Sequence, residues 1–468
     1  MRIFELLLSI TAIIFALSFF LPKIPMLWKE RILPILLGMA ALAQIGLEGF
    51  RWQLWPLFLA APLLILLAVM RREGRGRRVL AGLAGLLILV SVAGAVIFPV
   101  PDPYPMTGPY QIGTRVVHLI DPNREEIYGE NNGGPREFTA QVWYPAAPGP
   151  EDQRALWMPE IEYAAPAIAG KLNLPAFALG HLKHVRANAF LEAKPVGDGN
   201  AYPVLIFSHG WEGFKEQNIY QVEELASHGY VVIGLSHTYG SVITVFPDGR
   251  QMPTDQNALP DGVSDEAYDR ASNRLVKQWA GDISWTLDEL EDRNLDFGDW
   301  PLSDMVDLDR IGLLGHSTGG GAAVEFCLID DRCQALLGMD IWAEPALPEI
   351  LALRLTQPTL SMLSESWYYP NEPDRNYELL GTLAEGAESG MDEIALMGTR
   401  HYDFTSLPML TPLAAQLGLK GPIPGTLGLE IINAESVAFF DKYLKGEGKV
   451  SLEEISDRYP ESIWIERP

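Results

Sequence analysis

The chain has 468 residues, 48% of them hydrophobic, with 35 Lys and Arg against 60 Asp and Glu and a formal charge of −25. Apolar content this high excludes a disordered chain, and so acidic a protein would repel nucleic-acid phosphate. The average conceals two parts: residues 1–100 hold ten basic and four acidic residues, and the other 368 hold 25 basic and 56 acidic, a charge of −31.

An apolar basic head on a polar acidic body is the pattern of a membrane anchor carrying a globular domain. Four apolar runs open the chain: Phe4–Leu21, Ile32–Leu47, Trp52–Met70 and Val79–Phe98. A helix needs about 20 apolar residues, with a range of about 17–25, to cross a bilayer core. The first, third and fourth runs meet that length; the second is short, contains Pro34 and is the weakest span. The loop Arg71–Arg78 (RREGRGRR) has five arginines and one acid. The positive-inside rule therefore places it in the cytoplasm and the body outside, whether or not the second run spans. A cleaved leader over residues 1–22 is disfavoured, because no small-x-small site follows and cleavage would conflict with the arginine loop. No charge lies near the middle of any span, so an anchor is expected rather than an ion pathway. The expected location is the cell (inner) membrane, multi-pass, with an extracytoplasmic body.

Pro99–Pro109 has five prolines and reads as a stiff linker from the anchor, residues 1–98, to a catalytic domain over 110–468. Arg115–Ile120 and Glu137–Tyr144 read as strands. Residues 155–192 look helical, apolar and Pro-interrupted, which suits a cap over a pocket. From Pro203 onward, short apolar strands alternate with helices. The strands are Val204–Phe207, Val231–Leu235, Ile311–Leu314, Leu336–Met339, Thr359–Leu363 and Ile394–Met397; the helices are Gln221–His228, Ser272–Arg293, Gly320–Leu328 and Pro370–Leu383. Glu430–Leu444 is a terminal amphipathic helix. Buried strands alternating with helices specify an α/β domain with a mostly parallel sheet covered on both faces. Cys327 and Cys333 both lie in the body, where an oxidising compartment permits a bridge; two buried thiols are the alternative.

Gly315-His316-Ser317-Thr318-Gly319 is a G-x-S-x-G pentapeptide between the strand Ile311–Leu314 and the helix beginning at Gly320. That strand–turn–helix context is what a nucleophile elbow of the α/β-hydrolase fold requires, and it makes Ser317 the expected nucleophile. The partners of such a serine follow as an acid and then a histidine, each after a later strand. Asp340 follows Leu336–Met339, and His401 follows Ile394–Met397 and is the only histidine after Ser317. Glu365 and Asp403 are competing acids, with Asp403 expected to be structural. An oxyanion hole needs two backbone donors. The amide of Thr318 and that of Trp211, in the loop Ser208-His209-Gly210-Trp211, are placed to supply them. His209 is expected to shape the loop, and His237 to stand near the site as a wall. His181 and His184 have no completing ligands and read as exposed helix residues; neither a metal nor another cofactor is implied.

The stretches VWYPA (142–146), PVLIFSHGW (203–211), LASHGYVV (225–232), GHSTGG (315–320), MDIW (339–342) and HYDF (401–404) resemble the plasma-type platelet-activating-factor acetylhydrolase family over roughly residues 110–445. The resemblance implies Ser317, Asp340 and His401 as triad, and the Thr318 and Trp211 amides as oxyanion donors. It also implies calcium-independent hydrolysis of short or oxidised acyl chains from phospholipid. Thr318 stands where the animal enzymes carry an aromatic, Trp211 replaces a smaller aliphatic, and the apolar head is not part of the animal pattern. The sequence thus predicts an anchored serine ester hydrolase acting on an ester or phospholipid. General esterase action or acyl transfer to an envelope alcohol remain as alternatives with the same triad, and an inactive receptor or scaffold as one of another class.

Overall fold

The computed structural model describes residues 1–21, 24–70, 74–130, 132–295, 301–346, 350, 352–368, 374–448 and 450–465. Arg71, Arg72 and Glu73 of the basic loop, and the start of the helix expected from Pro370, lie outside the described residues. Two compact units divide the chain. The first comprises residues 1–102, 168–185 and 409–413; the second holds 103–167, 186–408 and 414–468.

In the first unit, α1 (Ile3–Ser18), α2 (Leu33–Ala43), α3 (Trp55–Val69) and α4 (Arg75–Ile97) form around an apolar core that includes Leu8, Phe15, Leu37, Leu57, Leu64 and Ile88. Three stretches are long and apolar enough to cross a membrane: Trp28–Glu48, Trp52–Val69 and Arg75–Ile97; α1 has only 16 residues. This reverses the expected ranking, in which the second run was the short one. Its helix is extended at both ends by π-helical turns, Trp28–Ile32 and Gln44–Glu48. Pro34 lacks the N–H that an uninterrupted helix would use, and a widened turn beside it absorbs that defect. At one end of the unit, Arg51 pairs with Glu5 at 2.6 Å, both side chains sealed from solvent, and donates to Phe98 O at 2.7 Å. The Glu48 carboxylate accepts from the Phe4 and Glu5 amides at 2.8 and 3.1 Å, where an anion offsets the helix dipole of α1.

The stretch expected as one helical cap, 155–192, is divided instead. It holds β3 (Arg154–Leu156, which begins just before it), α5 (Ile161–Lys171), a short 3-10 turn and β4 (Arg186–Leu191). Its middle, 168–185, belongs to the first unit: Trp52 Nε1 donates to Ala178 O at 3.0 Å, and the Phe177 ring lies 5.3 Å from Trp52. His181, expected at the surface, is buried and bonded through Nδ1 to Ala178 O at 3.1 Å. An apolar, proline-broken pattern is common to caps and to packing segments, so composition could not separate the two.

The second unit is built on an eleven-stranded sheet. Its remaining strands are β1 (Gln111–Glu125), β2 (Pro135–Ala146), β5 (Tyr202–Ser208), β6 (Val231–Ser236), β9 (Val306–His316), β10 (Ala335–Met339), β11 (Thr359–Ser364), β12 (Met391–Leu396) and β13 (Ser462–Trp464). The spatial order is β13-β12-β11-β10-β9-β5-β6-β2-β1-β4-β3, and the short strands β7 (Ile243–Val245) and β8 (Gln251–Pro253) form a separate hairpin. From β6 through β12 every pairing is parallel, whereas β2 joins β6, β1 joins β2, and β13 joins β12 antiparallel. The parallel strands are nearly continuous apolar runs because both faces are covered; β5, β6, β10 and β11 are buried throughout. Helices α6 (Ile219–Ser227), α7 (Asp265–Glu291) and α8 (Thr318–Ile329) flank this sheet. Cys327 on α8 and Cys333 in the following loop are joined as a disulfide, with Cα atoms 5.2 Å apart. In such a parallel sheet the carboxyl ends of the strands converge on one crevice, and the loops after β5, β9, β10, β11 and β12 open there.

Candidate active site

Ser317 lies between β9 and α8 with φ 54° and ψ −120°, a conformation that costs a non-glycine residue energy and holds its side chain out of the turn. Small neighbours make the turn possible. A β-carbon on Gly315 would fall 2.4 Å from Gly319 O, and one on Gly319 would fall 2.2 Å from Ser208 O. The Ser317 amide donates to Met339 O at 3.0 Å, and its carbonyl accepts from the Gly321 and Trp342 amides at 3.1 Å each. The elbow is thereby fixed to the loop that carries Asp340.

Asp340 ends β10 in a left-handed conformation, φ 43°, with its carboxylate wholly buried. One oxygen accepts from the Ser364 amide at 2.7 Å; the other accepts from Ser364 Oγ at 2.8 Å and from His401 Nδ1 at 2.9 Å. A buried carboxylate so fully bonded has a defined orientation. It fixes the His401 proton on Nδ1 and leaves the Nε2 lone pair to accept another. The His401 side chain is 27% exposed, so a substrate can reach it. Sequence order alone brought these two residues forward, and they are joined here across 61 positions.

The competing acids have other work. Glu365 accepts from the Gly398 amide at 2.5 Å. Asp403 accepts from the Arg400 and Gly421 amides at 2.8 and 2.6 Å, the expected structural role; burial raises its carboxyl above the ordinary range.

Of the two expected oxyanion donors, Thr318 opens α8, where the first amides of a helix have no intrahelical acceptor. The loop bearing Trp211 passes close to the serine: a β-carbon on Gly210 would come within 3.3 Å of Ser317 Cβ. His209 is buried, with Nδ1 donating to Gly210 O at 2.7 Å and Nε2 accepting from Ser241 Oγ at 2.8 Å. Burial holds it well below the ordinary histidine range, so it is neutral and shapes the loop.

His237 is no wall of the site. It is sealed in a second Ser–His–Asp string, 2.9 Å from Ser208 Oγ and 2.9 Å from Asp282 Oδ2, with all three residues buried. Trp279 stacks on its ring at 4.2 Å, and the buried Arg136 guanidinium pairs with Asp282 at 2.6 Å. No substrate can reach that serine; the string pins the strand end that launches the loop bearing Trp211.

Three contributors carry no motif. Ser364 orients Asp340 as described. Trp367 stacks flat on His401, with ring centroids 5.0 Å apart and 7° between planes. Gln217 braces the loop after β5 and ties it to the end of β9: its Oε1 accepts from the Gly210 amide at 3.3 Å, and its Nε2 donates to His316 Nδ1 at 3.0 Å. His316 Nε2 in turn donates to His401 O at 3.2 Å. Burial keeps His316 far below the ordinary range, which suits this neutral tautomer. The SESWY run (364–368) at the end of β11 sits at a strand end of the crevice and is a usable signal for Ser364 and Trp367; nothing in the sequence marks Gln217. Among the described residues, no cluster of three His, Cys, Asp or Glu side chains could hold a metal ion.

The family model for platelet-activating factor acetylhydrolase, isoform II, matches residues 102–453. The chain belongs to this family. As a member of the acetylhydrolase family it is a carboxylic ester hydrolase. It is 27% identical to the platelet-activating factor acetylhydrolase of Cavia porcellus over 62% of this chain and 69% of that protein. It is 26% identical to that of Canis lupus familiaris, over 65% and 71%. A probable 1-alkyl-2-acetylglycerophosphocholine esterase of Arthroderma benhamiae is 23% identical over 82% of this chain and 99% of its own. Among solved structures, a ferulic acid esterase from Streptomyces cinnamoneus superposes with a TM-score of 0.63 at 23% identity, over 79% of this chain and all of that one. That likeness speaks to the fold, a mostly parallel α/β-hydrolase-like sheet with flanking helices.

Proposed function

We propose that the chain is a membrane-anchored serine esterase in which Ser317, Asp340 and His401 form the triad. Ser317 Oγ attacks the ester carbonyl while His401 Nε2 takes its proton. Asp340 holds the tautomer and stabilises the imidazolium that forms. The Thr318 and Trp211 amides donate to the developing oxyanion. His401 then protonates the leaving alcohol and activates the water that releases the acyl group. The observation that carries this reading is the Ser364–Asp340–His401 string, its carboxylate buried, on a loop hydrogen-bonded to the strained elbow of Ser317.

The substrate class follows from the family: an acetylated or otherwise short-chain glycerophospholipid ester, as in the names of its relatives. The location follows from residues 1–98, whose long apolar helices are read as spans in the cell (inner) membrane with the basic loop inside and the catalytic domain outside.

The test is the Ser317→Ala, His401→Ala and Asp340→Asn variants on nitrophenyl acyl esters. Ser317→Ala and His401→Ala should each lose several orders of magnitude in turnover, and labelling by a fluorophosphonate probe should vanish in Ser317→Ala. Near-full activity of Ser317→Ala would remove the mechanism, and a native chain that neither hydrolyses the ester nor labels would favour the inactive scaffold.

A further inference from the structure

The first unit carries a cavity of about 800 Å3 that the esterase reading leaves unused. Three stretches of chain meet around it: the end of α1 at Phe19–Leu21, the π turn before α2 at Lys29, and the start of α4 at Gly74–Arg78. Four cations line it, Lys29, Arg75, Arg77 and Arg78, and among the described residues no carboxylate does. Phe19 and Phe20 supply an apolar wall. The Arg77 guanidinium lies over the Phe19 ring, 5.0 Å from its centroid, and the Lys29 ammonium donates to Leu21 O at 3.3 Å, which leaves it further hydrogens to give.

Cationic side chains gathered on one cavity give it a positive potential, which favours an anionic ligand. The cavity sits where two of the membrane-length stretches begin, Trp28–Glu48 and Arg75–Ile97, and one ligand satisfies both its cations and its apolar wall: a phosphate bearing acyl chains. Basic cavities between helices on the cytoplasmic side are suited to anionic head groups, and about 800 Å3 lies within the range of ordinary ligand sites.

We propose that this cavity binds the phosphate head group of an anionic phospholipid from the cytoplasmic leaflet. The inference rests on the reading that residues 1–98 span the membrane with the basic loop inside. The site is distinct from the esterase crevice, so this lipid is a structural ligand of the anchor and not a substrate.

The full chain, purified in mild detergent, is examined by native mass spectrometry with phosphatidylglycerol, phosphatidylcholine or inorganic phosphate added. Phosphatidylglycerol adducts should exceed phosphatidylcholine adducts by about tenfold at equal concentration, and millimolar inorganic phosphate should not displace them. Lys29→Gln and Arg78→Gln should each erase that preference. Arg31→Gln removes an equal charge from the same turn as Lys29 without touching the cavity, and it should keep the preference. All three variants should hydrolyse a soluble nitrophenyl ester at the native rate, which verifies folding. Equal binding of the two lipids, equal loss in Arg31→Gln, or displacement by inorganic phosphate would each overturn the proposal. Carbonate washing separates the readings: a chain stripped from membranes removes the anchor and this site with it, whereas a resistant chain without lipid preference removes this site alone.

Discussion

Trp367 lies flat against the imidazole of His401, the proposed base. A cation over an aromatic face gains about 0.5–2 kcal/mol, so in the proposed mechanism the stack favours the step in which His401 carries the serine proton. Trp367→Ala should lower kcat/KM about tenfold with little change in melting temperature, and Trp367→Phe should restore part of the loss; steady-state kinetics with a soluble ester distinguishes the three. A different residue-scale consequence follows from Glu435. It is fully buried, neither carboxyl oxygen meets a hydrogen-bond donor, and burial pushes its pKa up to about 8 from 4.5. The folded protein therefore holds this proton to about pH 8, while the unfolded chain releases it near 4.5. Between those limits folding takes up a proton, so this group's stability contribution is present below pH 4.5 and is lost as pH rises towards 8, at up to about 1.4 kcal/mol per pH unit. Glu435→Met should melt above the native protein at pH 8 and close to it at pH 5. A native-to-variant difference that stays constant across that range would contradict the argument.

At the scale of elements, the elbow depends on backbone approaching backbone. A β-carbon on Gly319 would sit 2.2 Å from Ser208 O and 2.3 Å from His209 O, both in the chain leading to Trp211. Main-chain atoms cannot swing aside as a side chain would, so Gly319→Ala must displace the loop that carries Trp211, a proposed oxyanion donor. Loss of one oxyanion donor costs about 10²–10³ in kcat, and Gly319→Ala should fall at least that far. Gly320→Ala, whose nearest neighbour would be Ile341 Cα at 3.2 Å, should be milder. Rates of fluorophosphonate labelling should follow the same order. The elbow was legible in sequence because its chemistry demands small residues at fixed offsets, and the parallel strands were legible because burial on both faces leaves unbroken apolar runs. The edge strands β3 and β13 were not, since each has three residues and no face to pattern. The second apolar run was misjudged because its length comes from π turns that contain charged residues, Lys29, Glu30 and Arg31, which a hydropathy reading discards. Ser364 and Gln217 act only through contacts between distant loops, and no local pattern records those.

For the whole molecule, the opposition between a basic head and a body of charge −31 bears on substrate delivery. Charges separated by more than about 8 Å are largely screened at physiological salt, so the body's field matters in the last approach of a charged lipid surface and fades as salt is added. Repulsion should slow encounters with anionic surfaces and leave zwitterionic ones nearly unaffected. The detergent-solubilised full chain should therefore hydrolyse a short-chain ester faster in zwitterionic vesicles than in vesicles with about one third anionic lipid, and the ratio should approach one as salt rises towards 0.5 M. The anionic-lipid site proposed on the head does not cancel this effect, because its four lining cations are few beside the body's charge of −31. Arg31→Gln and Lys29→Gln should accordingly leave the vesicle ratio unchanged. Faster turnover on anionic vesicles, or a ratio indifferent to salt, would show that local features of the crevice and not net charge govern access to the ester.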